Sequence, residues 1–559
     1  MADHTAPLTE APEAEADRVF HAALGRLTGG LSPAALAEAW TDWATHLAAA
    51  PSRSAELARK VADLPSTALA RTASTADDVR FNAPEWRRWP FNVMAGGFLA
   101  AQDWWDTATA GLHGVAPAHA RLVHFGARQW LDLMAPSNYL WTNPVALDRT
   151  VEERGANLQR GLRHWQEDLA HLASGRAEAD PDYRVGETVA TTPGEVVFRN
   201  RLIELIRYTP VTPEVKAEPL LIVPAWIMKY YILDLSPANS MVGYLLSQGF
   251  EVYMISWKNP DAGDADLSMD DYVDLGIRAA LDAIEDHLPG QKVHAAGYCL
   301  GGTLLSIAAA AMARDGQERL ASITLMAAQT DFSEAGEITL FISEAQVAFL
   351  EDIMAEQGYL KADQMAGAFR MLRSNDLIWS RVVRHYLLGE RTEMNDLMAW
   401  NADATRLPAR MHSEYLRHLF LENALALGHY HVGGRQVALE DIDTPLFVIG
   451  TEADHVSPWR SVWKIGRLTQ GPMRFLLTNS GHNAGILSEP GHRHRHYRTG
   501  EVTEHALSPD DWVAATPARE GSWWPEWAGW LDERSSGQRR PAPQAPALGP
   551  APGTYVLIP

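Results

Sequence analysis

In the stretch SPAALAEAWTDWATHLAAAP, the residues Leu36, Trp40, Trp43 and Leu47 recur at 4-3-4 spacing, on one face of a helix that Ser32 can cap and Pro33 can open. Tryptophans at this spacing read as packing surface rather than cofactor contacts. Residues 1–190 keep this helical texture and are taken as an N-terminal helical domain. From about residue 190 short apolar runs alternate with helical stretches: PLLIVPAW, FEVYMISW, KVHAAGY and SITLMAA, then PLFVIG and MRFLLTN. Near-continuous apolar runs separated by helices predict strands of a mostly parallel sheet.

Between SITLMAA and PLFVIG lies an interval too long for a crossover, about residues 331–440, rich in helix formers, Met, Phe and Arg. It reads as a cap over the sheet's carboxyl edge. The expected organisation is an α/β core in two parts, 191–330 and 441–559, with the cap subdomain 331–440 inserted between them. The closing stretch RRPAPQAPALGPAPGTYVLIP is Pro-rich and is expected to run extended along the surface.

Composition narrows the class. With 559 residues, 46% hydrophobic and 21% charged, the chain has material for a large core and more than one structural unit. A formal charge of −22 argues against a general nucleic-acid binder, because phosphate contacts need a basic footprint. The N-terminus is acidic without an apolar leader, and the longest apolar run, LLSIAAAAMA, is shorter than the roughly 20 residues a membrane span needs. A soluble, cytoplasmic protein with no membrane span is expected. The one cysteine, Cys299, excludes an internal disulfide framework and a cysteine-rich metal site.

Cys299 stands in HAAGYCLGG, which has the Gly-x-Ser-x-Gly spacing of a hydrolase nucleophile elbow with cysteine in place of serine. A predicted strand precedes it and an Ala-rich helix follows, and a helix N-terminus favours an anion at that sulfur. The partners of such a nucleophile follow in the order acid, then histidine, each after a later strand. Asp454 follows PLFVIG in TEADHVSP, with Glu452 as the substitute acid, and His482 follows MRFLLTN in SGHNAG. An isolated loop Asp or His is more often a turn former or a solvated side chain; three matches in order outweigh that. The fold expected is therefore the α/β-hydrolase fold, with inserted helical cap and N-terminal helical domain. The oxyanion hole would use the backbone N–H of Leu300 and one from the loop after the first core strand, at Trp226 or Ile227, of which Ile227 is the candidate. His455 is a secondary residue, since neighbours in sequence usually point apart. The HRHRH run at 492–496 reads as a solvated basic loop, and no metal site is expected. Arg370, Arg373, Arg406 and Arg417 of the insertion are candidates for phosphate contacts, although a salt-bridged face is the commoner fate of any one of them.

The chain also resembles the polyhydroxyalkanoate synthases, most closely the class I type that acts without a second synthase subunit. The likeness runs through NLQRGLRHWQEDL, TTPGEVVFRNRLIELIRYTP, PLLIVPAWIMKYYILDLSPANSMV, YMISWKNPD, GYCLGGT, MLRSNDLIW, WNADATRLP, TEADHVSPW, SGHNAG, GSWWPEW and PAPGTYV. It places the family's nucleophile on Cys299, its aspartate on Asp454 and its histidine on His482. It implies (R)-3-hydroxyacyl-CoA substrates, a polyester product with CoA released and no cofactor, a homodimer, and residence at the surface of cytoplasmic polymer granules. Two stretches depart from the family: PAWIM replaces the more usual Pro-Pro-x-Ile-Asn, and Asn483 stands where isoleucine is common. Two rival readings are an acyl-CoA thioesterase or depolymerase of the same fold, which shares the triad, and a non-catalytic granule-coat protein, which would be indifferent to loss of Cys299.

Overall fold

A computed structural model describes residues 12–28, 30–71, 78–174, 182–372, 374–502, 507–542 and 547–559. Arg373 lies outside the described residues, as does the side chain of Arg370. The chain divides into two compact units, one of residues 23–178 with 364–394, the other of 1–22, 179–363 and 395–559.

The helical unit begins as the apolar spacing predicts. The helix Pro33–Ala48 is capped by Ser32, whose hydroxyl accepts from Ala35 N–H at 3.4 Å. Trp43 is buried with Ala39, Leu57, Ala108 and Val123, while Trp40 and Leu47 pack at the margin. Residues 364–394, read from the sequence as part of a single insertion, group with these helices. The reason is local: buried Asn157 donates to the Leu387 carbonyl at 2.7 Å, and a Cβ on Gly161 would lie 2.0 Å from the Tyr386 carbonyl oxygen, so the two backbones meet closely.

The second unit is built on an 11-stranded sheet. Its strands are β1 (Gly194–Arg199), β2 (Ile203–Tyr208), β3 (Leu220–Val223), β4 (Val252–Trp257), β5 (Val293–Tyr298), β6 (Leu320–Met326), β7 (Leu446–Thr451), β8 (Met473–Thr478), β9 (His496–Val502), β10 (Arg519–Glu520) and β11 (Gly549–Pro550). Their order is β10-β9-β8-β7-β6-β5-β3-β4-β2-β1-β11. The central run β8-β7-β6-β5-β3-β4 is parallel, and these are the strands that the apolar runs predict. Every residue of β3, β4, β5 and β7 is buried, which is why they read as unbroken apolar segments. The flanking strands pair antiparallel, and β11 draws part of the Pro-rich tail onto the edge of β1.

One sequence expectation needs correction. The run 492–496 is not wholly solvated: His496 opens β9, and Arg495 is buried, donating to Ser480 Oγ at 2.6 Å and to the Leu487 carbonyl at 2.9 Å. Its two terminal nitrogens find acceptors inside the fold, whereas the sequence shows only a cluster of basic residues. Among the described residues no helix is long and apolar enough to cross a membrane, and no group of three or more His, Cys, Asp or Glu is placed to hold a metal.

Candidate active site

Cys299 stands at the carboxyl end of β5, in the middle of the parallel run, and the helix Leu300–Arg314 begins immediately after it. Its backbone is left-handed, φ 52° and ψ −124°, a conformation that costs a non-glycine residue about 1–3 kcal/mol and marks a functional turn when the surroundings enforce it. Enforcement comes from close packing. A Cβ on Gly297 would lie 2.3 Å from Gly302 Cα, and one on Gly301 would lie 2.1 Å from the Val223 carbonyl oxygen. Only glycine lets the strand, the turn and the helix meet at those distances.

Asp454 follows β7 and His482 follows β8, so the carboxyl ends of β5, β7 and β8 deliver the three residues to one edge of the sheet. His482 Nδ1 donates to Asp454 Oδ2 at 2.7 Å. The carboxylate is otherwise fully occupied: Oδ2 accepts from Thr451 Oγ1 at 2.9 Å, and Oδ1 accepts from the N–H groups of Val456 and Ser457 at 2.9 and 2.8 Å. Burial pushes Asp454 toward its neutral form, but the His482 charge and these donors prevail and hold its pKa below the usual carboxylate value. Burial likewise opposes charge on His482, yet Asp454 and the hydrogen-bonded Cys299 sulfur raise its pKa well above the ordinary imidazole value. With Nδ1 committed to Asp454, Nε2 is the nitrogen left for the sulfur. Glu452 is exposed and lies 3.4 Å from His496, on a different histidine.

The turn carrying His482 is pinned from several sides. Ala453 N–H donates to the Ser480 carbonyl at 3.0 Å, joining the Asp454 loop to it. The buried indoles of Trp523 and Trp524 donate to the Gly485 and Ile486 carbonyls, each at 3.0 Å, and Arg495 holds Ser480 and Leu487. GSWWPEW is thus a clamp on the histidine turn. Tyr298, one residue before Cys299, lays its ring beside the imidazole with centroids 5.6 Å apart. Neither Arg495 nor Thr451 carries a mark in the sequence; Tyr298 does, by its place inside the elbow.

Leu300 is the first residue of its helix, so its N–H has no acceptor within the helix. Half-buried Ile227 follows β3, and its carbonyl accepts from Thr405 N–H at 3.2 Å while Thr405 Oγ1 donates to the Trp226 carbonyl at 2.7 Å. The Trp226 ring meets Tyr415 edge-on at 6.2 Å. Segment 395–440 therefore reaches the site at Thr405 and Tyr415, as a cap would. His455 contributes a carbonyl that accepts from Glu337 N–H at 3.2 Å. Arg417 is tied to Glu351 and Glu344, and Arg406 to Asn259 and the main-chain oxygen of Pro559.

Comparison with known proteins decides the family. The family model described as poly-beta-hydroxybutyrate polymerase (PhaC) N-terminus matches residues 77–245, a second, poly-beta-hydroxybutyrate polymerase N terminal, matches 11–53, and the alpha/beta hydrolase fold matches 218–489. A poly(3-hydroxyalkanoate) polymerase of Methylorubrum extorquens is 42% identical over 86% of this chain and 81% of that protein. The chain belongs to the polyhydroxyalkanoate synthases. A poly(3-hydroxyalkanoate) polymerase subunit of Rhizobium meliloti is 36% identical over 86% of this chain and 80% of its own length. Among solved structures, a hydrolase from Pseudomonas aeruginosa PA01 is similar at 15% identity, over 52% of this chain and 92% of that one, with a TM-score of 0.31. The fold is the α/β-hydrolase fold, with a large, mostly parallel sheet and an N-terminal helical region.

Proposed function

We propose that this synthase polymerises (R)-3-hydroxyacyl-CoA, with 3-hydroxybutyryl-CoA as the expected monomer, into polyester through an acyl-thioester on Cys299. The observation that carries the reading is a cysteine, rather than a serine, at a left-handed elbow whose neighbour His482 is bonded to Asp454. His482 takes the thiol proton, the sulfur attacks the thioester carbonyl, and CoA leaves with that proton. The acyl group remains a thioester, so little of its activation is lost. The 3-hydroxyl of another hydroxyacyl group then attacks it, giving up its proton to His482, and an oxoester forms downhill while Cys299 is regenerated. A serine would store the acyl group as an ester no more activated than the product. Asp454 serves chiefly to orient His482, in keeping with its four occupied hydrogen bonds. The N–H groups of Leu300 and Ile227 stabilise the oxyanion.

Water is the competing nucleophile, and the cap segment serves to exclude it. Cys299 is 7% exposed and Asp454 9%, which suits that role. The active form is read as a homodimer at the surface of cytoplasmic polymer granules. Exposed Trp89, Trp130, Met134 and Trp141 on the helical unit favour contact with an apolar surface. CoA is a product, and no cofactor enters the cycle.

The test is to supply purified protein with (R)-3-hydroxybutyryl-CoA, follow thiol release and identify the acyl product. Polymer with one CoA per monomer is expected. Free acid alone would make the protein a thioesterase, and an undiminished rate in Cys299→Ala would remove the mechanism altogether.

A further inference from the structure

The residue after His482 makes two side-chain hydrogen bonds that an apolar side chain of similar size cannot make. Tyr298 is buried, and its hydroxyl donates to Asn483 Oδ1 at 2.5 Å. Asn483 Nδ2 in turn donates to Asn401 Oδ1 at 3.3 Å, on the helix Asp396–Ala402. The main chain of Asn483 also closes the turn, since its carbonyl accepts from the N–H groups of Ile486 and Leu487, both at 3.1 Å. One side chain therefore ties the elbow, the histidine turn and the segment that also supplies Thr405.

We propose that Asn483 is a positioning residue: through Tyr298 it fixes the imidazole of His482 over Cys299, and through Asn401 it holds the 396–402 helix on the same turn. The inference rests on the roles given above to Cys299 and His482. The physical argument is one of restraint. Asp454 and the Cys299 sulfur hold His482 at its two ring nitrogens, which leaves the ring free to tilt about the line between them. The Tyr298 ring, inclined 35° to the imidazole, blocks that tilt on one face. A phenol whose hydroxyl is bonded cannot itself swing, and a buried hydroxyl without an acceptor would be costly, so the Asn483 amide supplies what the arrangement needs. Burial, with the neighbouring Cys299 and Asp454 charges, keeps the Tyr298 hydroxyl protonated and thus a donor.

The experiment compares Asn483→Ile, Tyr298→Phe and the double variant in the full-length protein. Two readouts are used: kcat and KM for CoA release, and the rate of alkylation of Cys299 by iodoacetamide, which needs no acyl substrate and is unambiguous because the chain has one cysteine. Each single variant is expected to lower kcat and neutral-pH alkylation roughly three- to tenfold, the worth of one hydrogen bond, with KM changed less than about twofold. The double variant is expected to be no worse than Asn483→Ile alone, because Tyr298→Phe breaks a link that Asn483→Ile has already removed. Additive losses, or a lowered Tm with unchanged alkylation, would overturn the proposal. If Asn483→Ile fails to fold, Tyr298→Phe alone still decides through the alkylation rate. Should the native protein release no CoA, the polymerase reading fails, while the alkylation comparison still judges Asn483.

Discussion

His482 donates to Asp454 at 2.7 Å although the two residues sit on separate loops after neighbouring parallel strands. The pair shifts both groups in the directions that favour charge: His482 up, against its burial, and Asp454 down, against its own. Asp454→Asn should therefore bring the His482 titration, followed by NMR, to lower pH, since burial then acts with one less opposing charge. CoA release should fall by about 10²–10⁴-fold, as it does when a buried carboxylate no longer sets an imidazole's tautomer. Stability should follow the same signs. The raised His482 pKa stabilises the fold fully below pH about 6.5 and loses that contribution as pH rises through the folded value; the lowered Asp454 pKa stabilises above about 3.9 and loses its contribution as pH falls through the folded one.

Cys299→Ala and Cys299→Ser separate chemistry from architecture. Each keeps a Cβ at the left-handed position, so circular dichroism and Tm should stay within about 1 kcal/mol of the parent fold. Alanine should abolish acyl-enzyme formation. Serine should leave, at most, slow hydrolysis to free acid, because an oxoester intermediate gives a hydroxyl acceptor no downhill step. Polymer made by the serine variant at a rate near the native one would sink the thioester argument.

The apolar runs disclose the six parallel strands because four of them are wholly buried and the other two nearly so. The turn at Cys299 and the places of Asp454 and His482 after later strands are legible for a related reason, and the structure brings His482 within hydrogen-bond distance of Asp454. What supports the His482 turn is not. Arg495 sits in a run of basic residues that looks solvated, and only the assembled sheet reveals that the start of β9 brings it back against the histidine turn. Residues 364–394 likewise belong to the helical unit because of Asn157 and Gly161, far away in sequence. Long-range polar closure has no period to read.

Arg495→Met tests that closure. The substitution keeps much of the volume but strands Ser480 Oγ and the Leu487 carbonyl without their donor. A loss of about 2–4 kcal/mol in urea unfolding is expected. Lys should recover only part of it, because an ammonium cannot present the two-pronged donor geometry that reaches both sites. Full recovery by Lys would mean that charge alone, rather than the fork, matters there.

Two glycine substitutions should move stability in opposite directions. Gly301→Ala places a Cβ 2.1 Å from the Val223 carbonyl oxygen, a clash with backbone that no rotamer relieves. It should cost more than about 3 kcal/mol or prevent folding, and the elbow would open with it. Gly529→Ala meets nothing within 4 Å on the exposed face of the helix Trp524–Glu533. Replacing glycine in a helix interior should add about 0.5–1 kcal/mol. A stable, active Gly301→Ala protein would contradict the packing account of the elbow.

Thr405 offers a test of the cap's part in choosing between polymer and free acid. Its hydroxyl and its N–H hold the Trp226 and Ile227 carbonyls, so it sets the loop that carries the second proposed oxyanion donor. Thr405→Val keeps the shape and the backbone bond but removes the hydroxyl, leaving the Trp226 carbonyl buried without that partner. If Ile227 stabilises the oxyanion, kcat for CoA release should fall about tenfold with little change in KM, since that interaction is made only as charge develops on the oxygen. If the same segment also keeps water out, the share of free acid among the acyl products should rise as the loop loosens. A lower Tm with kcat and product ratio both unchanged would assign Thr405 to packing and move the second donor elsewhere, whereas a rise in free acid at constant kcat would separate water exclusion from oxyanion stabilisation and give Thr405 only the former.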